Sequence, residues 1–213
     1  MGRRALRKTD PNLDLSPFLF ELEALPDPFS AASFFQRDAP LEIEVGTGKG
    51  LFLATAAARD SDRNFVGIEV ARKYARFSAA RLATAKLVNA KMVCGDAIRA
   101  FREVFPAQTA AAVHVYFPDP WWKKRHRKRR VMQGAFLRDI ERVLIPAGTL
   151  HFWTDVEEYF DETIQLIGAE TALAGPIDVP QAESAHDLDY RTHFERRMRL
   201  TDQPIYRAEF RKD

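Results

Sequence analysis

Apolar runs and amphipathic segments alternate along most of the chain, and this alternation predicts its secondary structure. Short apolar runs with the length and composition of buried strands occur at residues 41–45, 64–68, 91–94, 110–116 and 149–153. The segments between them predict helices at residues 51–59, 71–87, 98–104 and 135–144. Strands that alternate with helices through short connections form parallel sheets covered by helices. The pattern therefore predicts an α/β fold.

The same pattern indicates how the chain is divided. Residues 36–213 are predicted to form a single domain, because no internal repeat or long linker interrupts them. Residues 1–35, with four prolines, are predicted to be an N-terminal extension that wraps the core or is partly flexible. No apolar run approaches the roughly 20 residues of a membrane span, and no secretory signal opens the chain. With Cys94 as the single cysteine, we expect a cytoplasmic protein without a membrane partner.

Each predicted strand has a carboxylate at or just after its carboxyl end. These acids are Glu44, Glu69, Asp96, Asp119 and Asp155. Because parallel strands end at the same edge of a sheet, we expect the five side chains to line that edge, where such folds bind ligands. Helix capping is an alternative explanation for Asp96 and Asp155, since Asp is a favoured cap. It does not explain the glutamates, and a cationic ligand at this edge would.

A glycine-rich loop, Gly46-Thr47-Gly48-Lys49-Gly50, follows the first strand. It lacks the third glycine of a dinucleotide-binding loop, where Leu51 stands, and it lacks the order of a phosphate-binding loop. Glu69 lies 23 residues after Gly46, close to the roughly 20 expected for an acid that binds ribose hydroxyls. S-adenosylmethionine has a ribose and an adenine but no pyrophosphate, and its ammonium and sulfonium suit neighbouring acids. The loop therefore favours S-adenosylmethionine over NAD.

The segment from Phe117 to Arg130 carries the most specific chemistry. Asp119 stands between two prolines, two tryptophans follow, and seven of the eight residues 123–130 are Lys or Arg. Without those seven cations, the 32 Lys and Arg residues fall to 25, fewer than the 30 Asp and Glu residues. The positive charge is therefore concentrated here, beside a carboxylate and stacking surfaces. This combination predicts chemistry on a nucleic acid base, although a charge run can also be a solvated surface.

These motifs resemble the bacterial tRNA (guanine-N7)-methyltransferases of the TrmB type. The resemblance runs from about residue 41 to residue 213 and is carried by segment 42–50, Gly67-Ile68-Glu69, Gly95-Asp96-Ala97, Phe117-Pro118-Asp119-Pro120-Trp121, Lys123-Lys124-Arg125-His126 and Thr192-His193-Phe194-Glu195. It implies a class I methyltransferase fold with a mostly parallel seven-stranded sheet and helices on both faces. It also implies methyl transfer from S-adenosylmethionine to N7 of a guanine in the variable loop of tRNA, by a monomer or a homodimer. Trp122 departs from the family, in which many members have proline.

The resemblance also assigns residues to roles. Asp119 is the expected active-site acid. The expected cofactor contacts are Glu44, Gly46, Gly48, Gly50, Glu69, Asp96, Ala97 and Asp119. The expected substrate contacts are Lys123, Asp155, Thr192, Phe194 and Glu195. The basic segment, residues 121–131, is expected to bind RNA through Lys124, Arg125, His126, Arg127, Lys128 and Arg129. The spacing of the histidines predicts no metal site.

Three questions stay open at this level. A non-catalytic RNA-binding protein on a methyltransferase fold is an alternative, and an NAD-dependent oxidoreductase is a weaker one. Asp119 either orients the guanine or stabilises the charge that develops on it. Trp121 either stacks on a base or packs within the loop, whereas His114 and Trp153, which lie in apolar strands, are expected in the core.

Overall fold

The computed structural model describes residues 6, 8–180 and 192–213 and builds them around one sheet. Its strands are β1 (Leu19–Glu21), β2 (Leu41–Val45), β3 (Asn64–Glu69), β4 (Ala90–Cys94), β5 (Ala110–Tyr116), β6 (Leu144–Thr154), β7 (Ala174–Asp178) and β8 (Tyr206–Arg211). Its α-helices are α1 (Ala31–Phe35), α2 (Leu51–Arg59), α3 (Arg72–Ala85), α4 (Ala97–Arg99), α5 (Gly134–Val143), α6 (Glu157–Glu170) and α7 (His193–Leu200). Short 3-10 helices form at Leu22–Ala24 and Lys124–Arg129, and a π-helical turn, Ala100–Val104, extends α4.

Within the described residues, the sheet has eight strands in the order β1-β4-β3-β2-β5-β6-β8-β7. Strands β1 to β6 pair in parallel, and β8 runs antiparallel to both β6 and β7. The predicted α/β class and the mostly parallel sheet are confirmed. The strand number is eight instead of the expected seven, because β1 from the predicted N-terminal extension pairs with β4 at the sheet edge. Three residues are too short a run to carry an alternating pattern.

Two apolar layers cover the two faces of the sheet. One layer packs α5, α6 and the π-helical turn on the face that carries Ile43, Val113 and Phe152. The other packs α2 and α3 on the face that carries Phe65 and Met92. Alternate strand residues point to opposite faces, so each central strand contributes to both layers. Helices therefore lie on both faces, as expected.

The chain reverses direction across the sheet between β2 and β5. From β2 it proceeds through β3 to β4 on one side, and from β5 it proceeds to β6 on the other. The loops that follow β2 and β5 therefore diverge and leave a crevice at their carboxyl ends, which is where open α/β sheets bind ligands. None of the described helices combines the length and the apolar character that crossing a bilayer requires.

Candidate active site

The glycine loop leaves β2 in a conformation that only glycine adopts without strain. Gly46, Gly48 and Gly50 have φ of +77°, +57° and +67°, in the left-handed region. At Gly50 a β-carbon would lie 2.0 Å from Oγ of Ser78 on α3, so the loop needs glycine for packing as well. At Gly46 a β-carbon would meet no atom within 4 Å. The loop therefore packs tightly against α3 at one end and is open at the other, beside β2.

Two glutamates stand beside this loop, and each meets a different environment. Glu69 accepts hydrogen bonds from the backbone N–H of Gly48 and of Ala71, both 2.8 Å long. Glu44 is only 4% exposed, and its Oε2 has no hydrogen-bond partner among the described residues. Burial, together with a smaller contribution from the charge of Glu69, raises the pKa of Glu44 to about 8. A cationic group at this position would favour ionised Glu44, so this pair fits the ammonium of S-adenosylmethionine.

The two aspartates for which capping is the alternative explanation differ from each other. Asp96 does cap α4, since its Oδ1 accepts a hydrogen bond of 2.8 Å from the backbone N–H of Ile98. Asp155 is not the cap of α6, since the N-cap residue is Val156 and no side chain caps the helix. Burial raises the pKa of Asp155, against the opposing charge of Arg197 on α7. Asp155 therefore lies near α7, at the edge that the five acids share.

Asp119 lies on a strained turn directly after β5. Phe117 and Trp121, which bracket it, have φ of +49° and +46°. Bulky residues rarely adopt this left-handed conformation. The N–H of Phe117 donates to the carbonyl of Trp153 at 2.8 Å, which continues the β5–β6 pairing up to the turn. The side chain of Asp119 is exposed at the edge where Glu44, Glu69 and Asp155 also lie.

The basic segment divides into an exposed part and an attached part. Five of its cations are exposed, namely Lys123, Lys124, Arg125, Lys128 and Arg129. Arg127 instead forms ion pairs with Glu158 and Glu162 of α6, at 2.6 and 2.9 Å. Arg130 is buried and also pairs with Glu162. The exposed cations are free to meet a polyanion, whereas Arg127 and Arg130 attach the segment to α6.

The two tryptophans of this region have opposite surroundings. The ring centroid of Trp121 lies 5.9 Å from that of His126 and 5.1 Å from the guanidinium carbon of Arg129. Trp121 therefore packs within the basic segment. Trp122 is 67% exposed and presents its indole to solvent beside Lys123.

Helix α7 lies close to the Asp119 turn. The ring of Phe194 packs on that of Phe117, with centroids 4.8 Å apart. Thr192 caps the helix, since its Oγ1 accepts from the N–H of Glu195 at 2.9 Å. Glu195 is 4% exposed and lies 3.5 Å from Arg199 and 3.7 Å from Arg207. In this structure Thr192 and Glu195 hold α7 in place, and Phe194 joins α7 to the turn.

Comparison with known proteins identifies the family. Residues 38–208 match a family described as putative methyltransferase. A tRNA (guanine-N(7)-)-methyltransferase of Rhodopirellula baltica is 50% identical over 219 residues, which cover 100% of this chain and 80% of that protein. The chain belongs to the tRNA (guanine-N7)-methyltransferase family. A member from Rubrobacter xylanophilus is 30% identical over 98% of this chain and 96% of its own length.

The fold agrees with this family. The crystal structure of the 16S rRNA methyltransferase KamB superposes with a TM-score of 0.62 at 18% identity, and covers 87% of this chain and 94% of KamB. At that identity the likeness concerns the fold alone, and it is the class I methyltransferase fold. The chain is an S-adenosylmethionine-dependent methyltransferase, as the glycine loop and the acids predict.

Sequence reasoning did not identify the contribution of α6 to this site. Tyr159 and Glu162, one turn apart, contact Arg130, and Glu158 contacts Arg127. The spacing of Glu158 and Glu162 places both on one helix face, and this pattern is the signal that could have indicated a basic partner. The identity of the basic partner could not be predicted, because Arg127 lies more than 30 residues before Glu158 and Glu162 in the chain.

Proposed function

We propose that this chain transfers the methyl group of S-adenosylmethionine to N7 of a guanine in the variable loop of tRNA. The observation that carries the proposal is the position of Asp119. It stands on a strained turn at the same sheet edge as the glycine loop, and the exposed cations of the basic segment follow directly. The names of the relatives, one of them 50% identical over the whole chain, support the same reaction.

The edge of the sheet offers a consistent set of cofactor contacts. Glu69 suits the ribose hydroxyls, Glu44 suits the ammonium, and Asp96 with Ala97 follows β4 at the same edge. The backbone of Gly46 and Gly48 allows close approach, because no β-carbon covers it. When bound, S-adenosylmethionine supplies an electrophilic methyl carbon attached to a sulfonium.

Asp119 has no need to act as a base. N7 of guanine is a hydrogen-bond acceptor with a free lone pair, so no proton has to be removed before it attacks. Positive charge develops on the purine during the transfer. The carboxylate of Asp119 either stabilises this charge, as preorganised groups do elsewhere, or accepts hydrogen bonds from the N1–H and N2–H of guanine.

The basic segment is the proposed tRNA contact. Its five exposed cations lie immediately after the active-site turn, so phosphates bound there would hold a neighbouring base near Asp119. Lys123 follows Asp119 by four residues and Asp155 follows β6 at the same sheet edge, so both are proposed substrate contacts, and Phe194 packs on Phe117 beside the turn. The oligomeric state, monomer or homodimer, and the cytoplasmic location remain predictions.

A methylation assay tests the proposal. Unmodified tRNA is incubated with methyl-labelled S-adenosylmethionine, and 7-methylguanine is mapped by its alkali-labile strand cleavage. We expect one modified guanine in the variable loop. Asp119→Asn should lower kcat on the order of 100-fold if charge stabilisation dominates, and should mainly raise KM if orientation dominates.

Asp62→Asn is the matched control, because Asp62 is exposed in the loop between α2 and β3, at the opposite edge. It should leave both constants unchanged. Binding of tRNA without methylation would instead support the non-catalytic alternative. Normal activity of Asp119→Asn would exclude both roles for this carboxylate.

A further inference from the structure

Arg130 is the most buried cation of the basic segment. Its side chain is 6% exposed and lies between the Asp119 turn and α6. Its Nε donates a hydrogen bond of 2.8 Å to the carbonyl of Pro120. Its Nη1 pairs with Glu162, and its guanidinium carbon lies 4.4 Å from the ring centroid of Tyr159. A buried charge persists only when such partners compensate for its lost hydration, so this position is built for arginine.

The turn that Arg130 reaches is strained. Phe117 and Trp121 both have positive φ, a strained conformation that the surrounding structure must hold in place. Pro118 and Pro120 have no N–H, so they cannot donate hydrogen bonds that would close the turn. The backbone groups they can offer are carbonyls. The Nε of Arg130 provides a donor for the carbonyl of Pro120.

The face of α6 that contacts Arg130 also contacts Arg127 and Met132, which lie on either side of Arg130 in the chain. Glu162 binds Arg127 as well as Arg130, and the hydroxyl of Tyr159 accepts from the N–H of Met132 at 3.4 Å. Burial raises the pKa of Tyr159 to about 12, the charge of Arg130 lowers it, and the charges of Glu162 and Asp119 raise it.

We propose that Arg130 is a positioning residue for methyl transfer, which fixes the carbonyl of Pro120 so that Asp119 is held towards the guanine. The inference rests on the proposed function. The role of Arg130 therefore differs from that of the exposed cations that follow Asp119. Its guanidinium contacts Pro120, Glu162 and Tyr159 and is not available to bind a phosphate.

Arg130→Lys tests this role. Lysine keeps the charge, but its compact ammonium lacks the planar fork that contacts three partners at once. A small displacement of a catalytic group costs up to about 100-fold in rate. We expect kcat to fall about 10- to 100-fold, while KM for tRNA and the Kd for S-adenosylmethionine stay within about twofold.

Arg138→Lys is the matched control. Arg138 of α5 is exposed and pairs with Glu170 of α6, the helix that also carries Glu162. Glu170 is the last residue of that helix. The substitution of Arg138 should leave kcat unchanged.

A double-mutant cycle decides whether Arg130 acts through Asp119. If it does, Arg130→Lys should change kcat by less than about twofold once Asp119→Asn is present. Multiplicative losses in the double variant would overturn the inference. So would a raised KM for tRNA with normal kcat and a flatter salt dependence, because Arg130 would then be a phosphate contact.

A folding defect is detected separately. The Tm and the calorimetric Kd for S-adenosylmethionine are measured for each variant, and Glu162→Gln, which keeps an acceptor for Arg130, provides a milder second change. We expect Glu162→Gln to lower kcat less than Arg130→Lys does and to be equally non-additive with Asp119→Asn. If the wild-type enzyme does not methylate tRNA, the proposed function is wrong. If it does and both variants retain full kcat, only the role of Arg130 is wrong.

Discussion

At the scale of single residues, Glu44 holds the most unusual protonation state. It lies in β2, almost fully buried, and its raised pKa of about 8 keeps it largely protonated at neutral pH. Its ordinary pKa of 4.5 applies in the unfolded chain. The folded protein therefore binds more protons than the unfolded one between these two values. This contribution to stability is fully present below pH 4.5 and is lost as the pH rises through 8.

Glu44→Gln should remove this pH dependence. We expect the free energy of unfolding of the wild type, relative to that of the variant, to fall by on the order of 3 kcal/mol between pH 5 and pH 8. Urea denaturation of both proteins at several pH values, without cofactor, measures the difference. A difference that stays constant over this range would show that Glu44 is ionised in the folded protein.

The placement of the acids could be predicted from the sequence, but their environments could not. Glu44, Glu69 and Asp119 line one edge because parallel strands end together, and strand order along the chain contains that information. The burial of Glu195 depends on Arg207, which comes from β8. Its pair with Arg199 follows the local i,i+4 spacing, whereas no local pattern encodes its contact with Arg207. The prediction of Glu195 as a substrate contact therefore stays untested.

At the scale of elements, the 3-10 helix of the basic segment is two-sided. The sequence assigns residues 124–129 equally to RNA, whereas Arg127 is paired with Glu158 and Glu162. Each exposed cation that binds a phosphate contributes about −0.7 to −0.9 to the slope of log K against log salt. The contribution of Arg127 should be smaller, because binding RNA would require it to leave two carboxylates.

Replacing Lys124, Arg125 and Lys128 by Ala should therefore flatten this slope by about 2 to 3. Arg127→Ala should change it by less than a third of that amount. Fluorescence anisotropy with labelled tRNA between roughly 50 and 200 mM salt measures both slopes. Equal changes per removed charge would mean that α6 does not withhold Arg127 from RNA.

The predicted elements are accurate from β2 to α5, whereas β1 and α1 before them were not predicted and the bounds of β6 differ. The sequence predicts a helix that ends at residue 144 and a strand at residues 149–153, yet β6 runs from Leu144 to Thr154. Ala147 takes a φ of +63°, and its N–H donates to the carbonyl of Lys212 at 2.8 Å. Residues 144–148 therefore stay in the sheet as an irregularity, which the β5–β6 register shift also shows. Turn residues indicate a local preference, and here the neighbouring chain overrides it.

At the scale of the whole molecule, Lys91 of β4 attaches the N-terminal part of the chain to the sheet. Its ammonium lies 4.3 Å from the ring centroid of Phe34, 5.0 Å from that of Phe20 and 5.1 Å from that of Phe35. It also donates a hydrogen bond to the carbonyl of Phe34. Burial lowers the pKa of Lys91, which shows that its charge is partly desolvated. These contacts join β1 and α1 to the domain.

Lys91→Met should lower the free energy of unfolding by about 1–3 kcal/mol, because the cation–π contacts and the hydrogen bond are lost. Lys73→Met, on the exposed side of α3, where the ammonium lies 5.1 Å from the ring centroid of Tyr74, should lower it by at most about 1 kcal/mol. Chemical denaturation of the two variants compares them directly. If the two substitutions lower the free energy of unfolding equally, the aromatic rings around Lys91 attach the N-terminal part of the chain without help from the ammonium of Lys91.

The position of β8 has a consequence for the order of assembly. Among the described strands, β7 pairs with β8 alone, and β8 lies between β6 and β7 although it follows both in the chain. During synthesis, β7 emerges first and has no neighbour to pair with until about 30 residues more have been added. The part of the sheet from β4 to β6, which carries the candidate active site, can assemble before then. Strands β8 and β7 can join it only once β8 has been synthesised. A nascent chain halted between β7 and β8 would therefore expose the free edge of β6, which is a template for aberrant pairing.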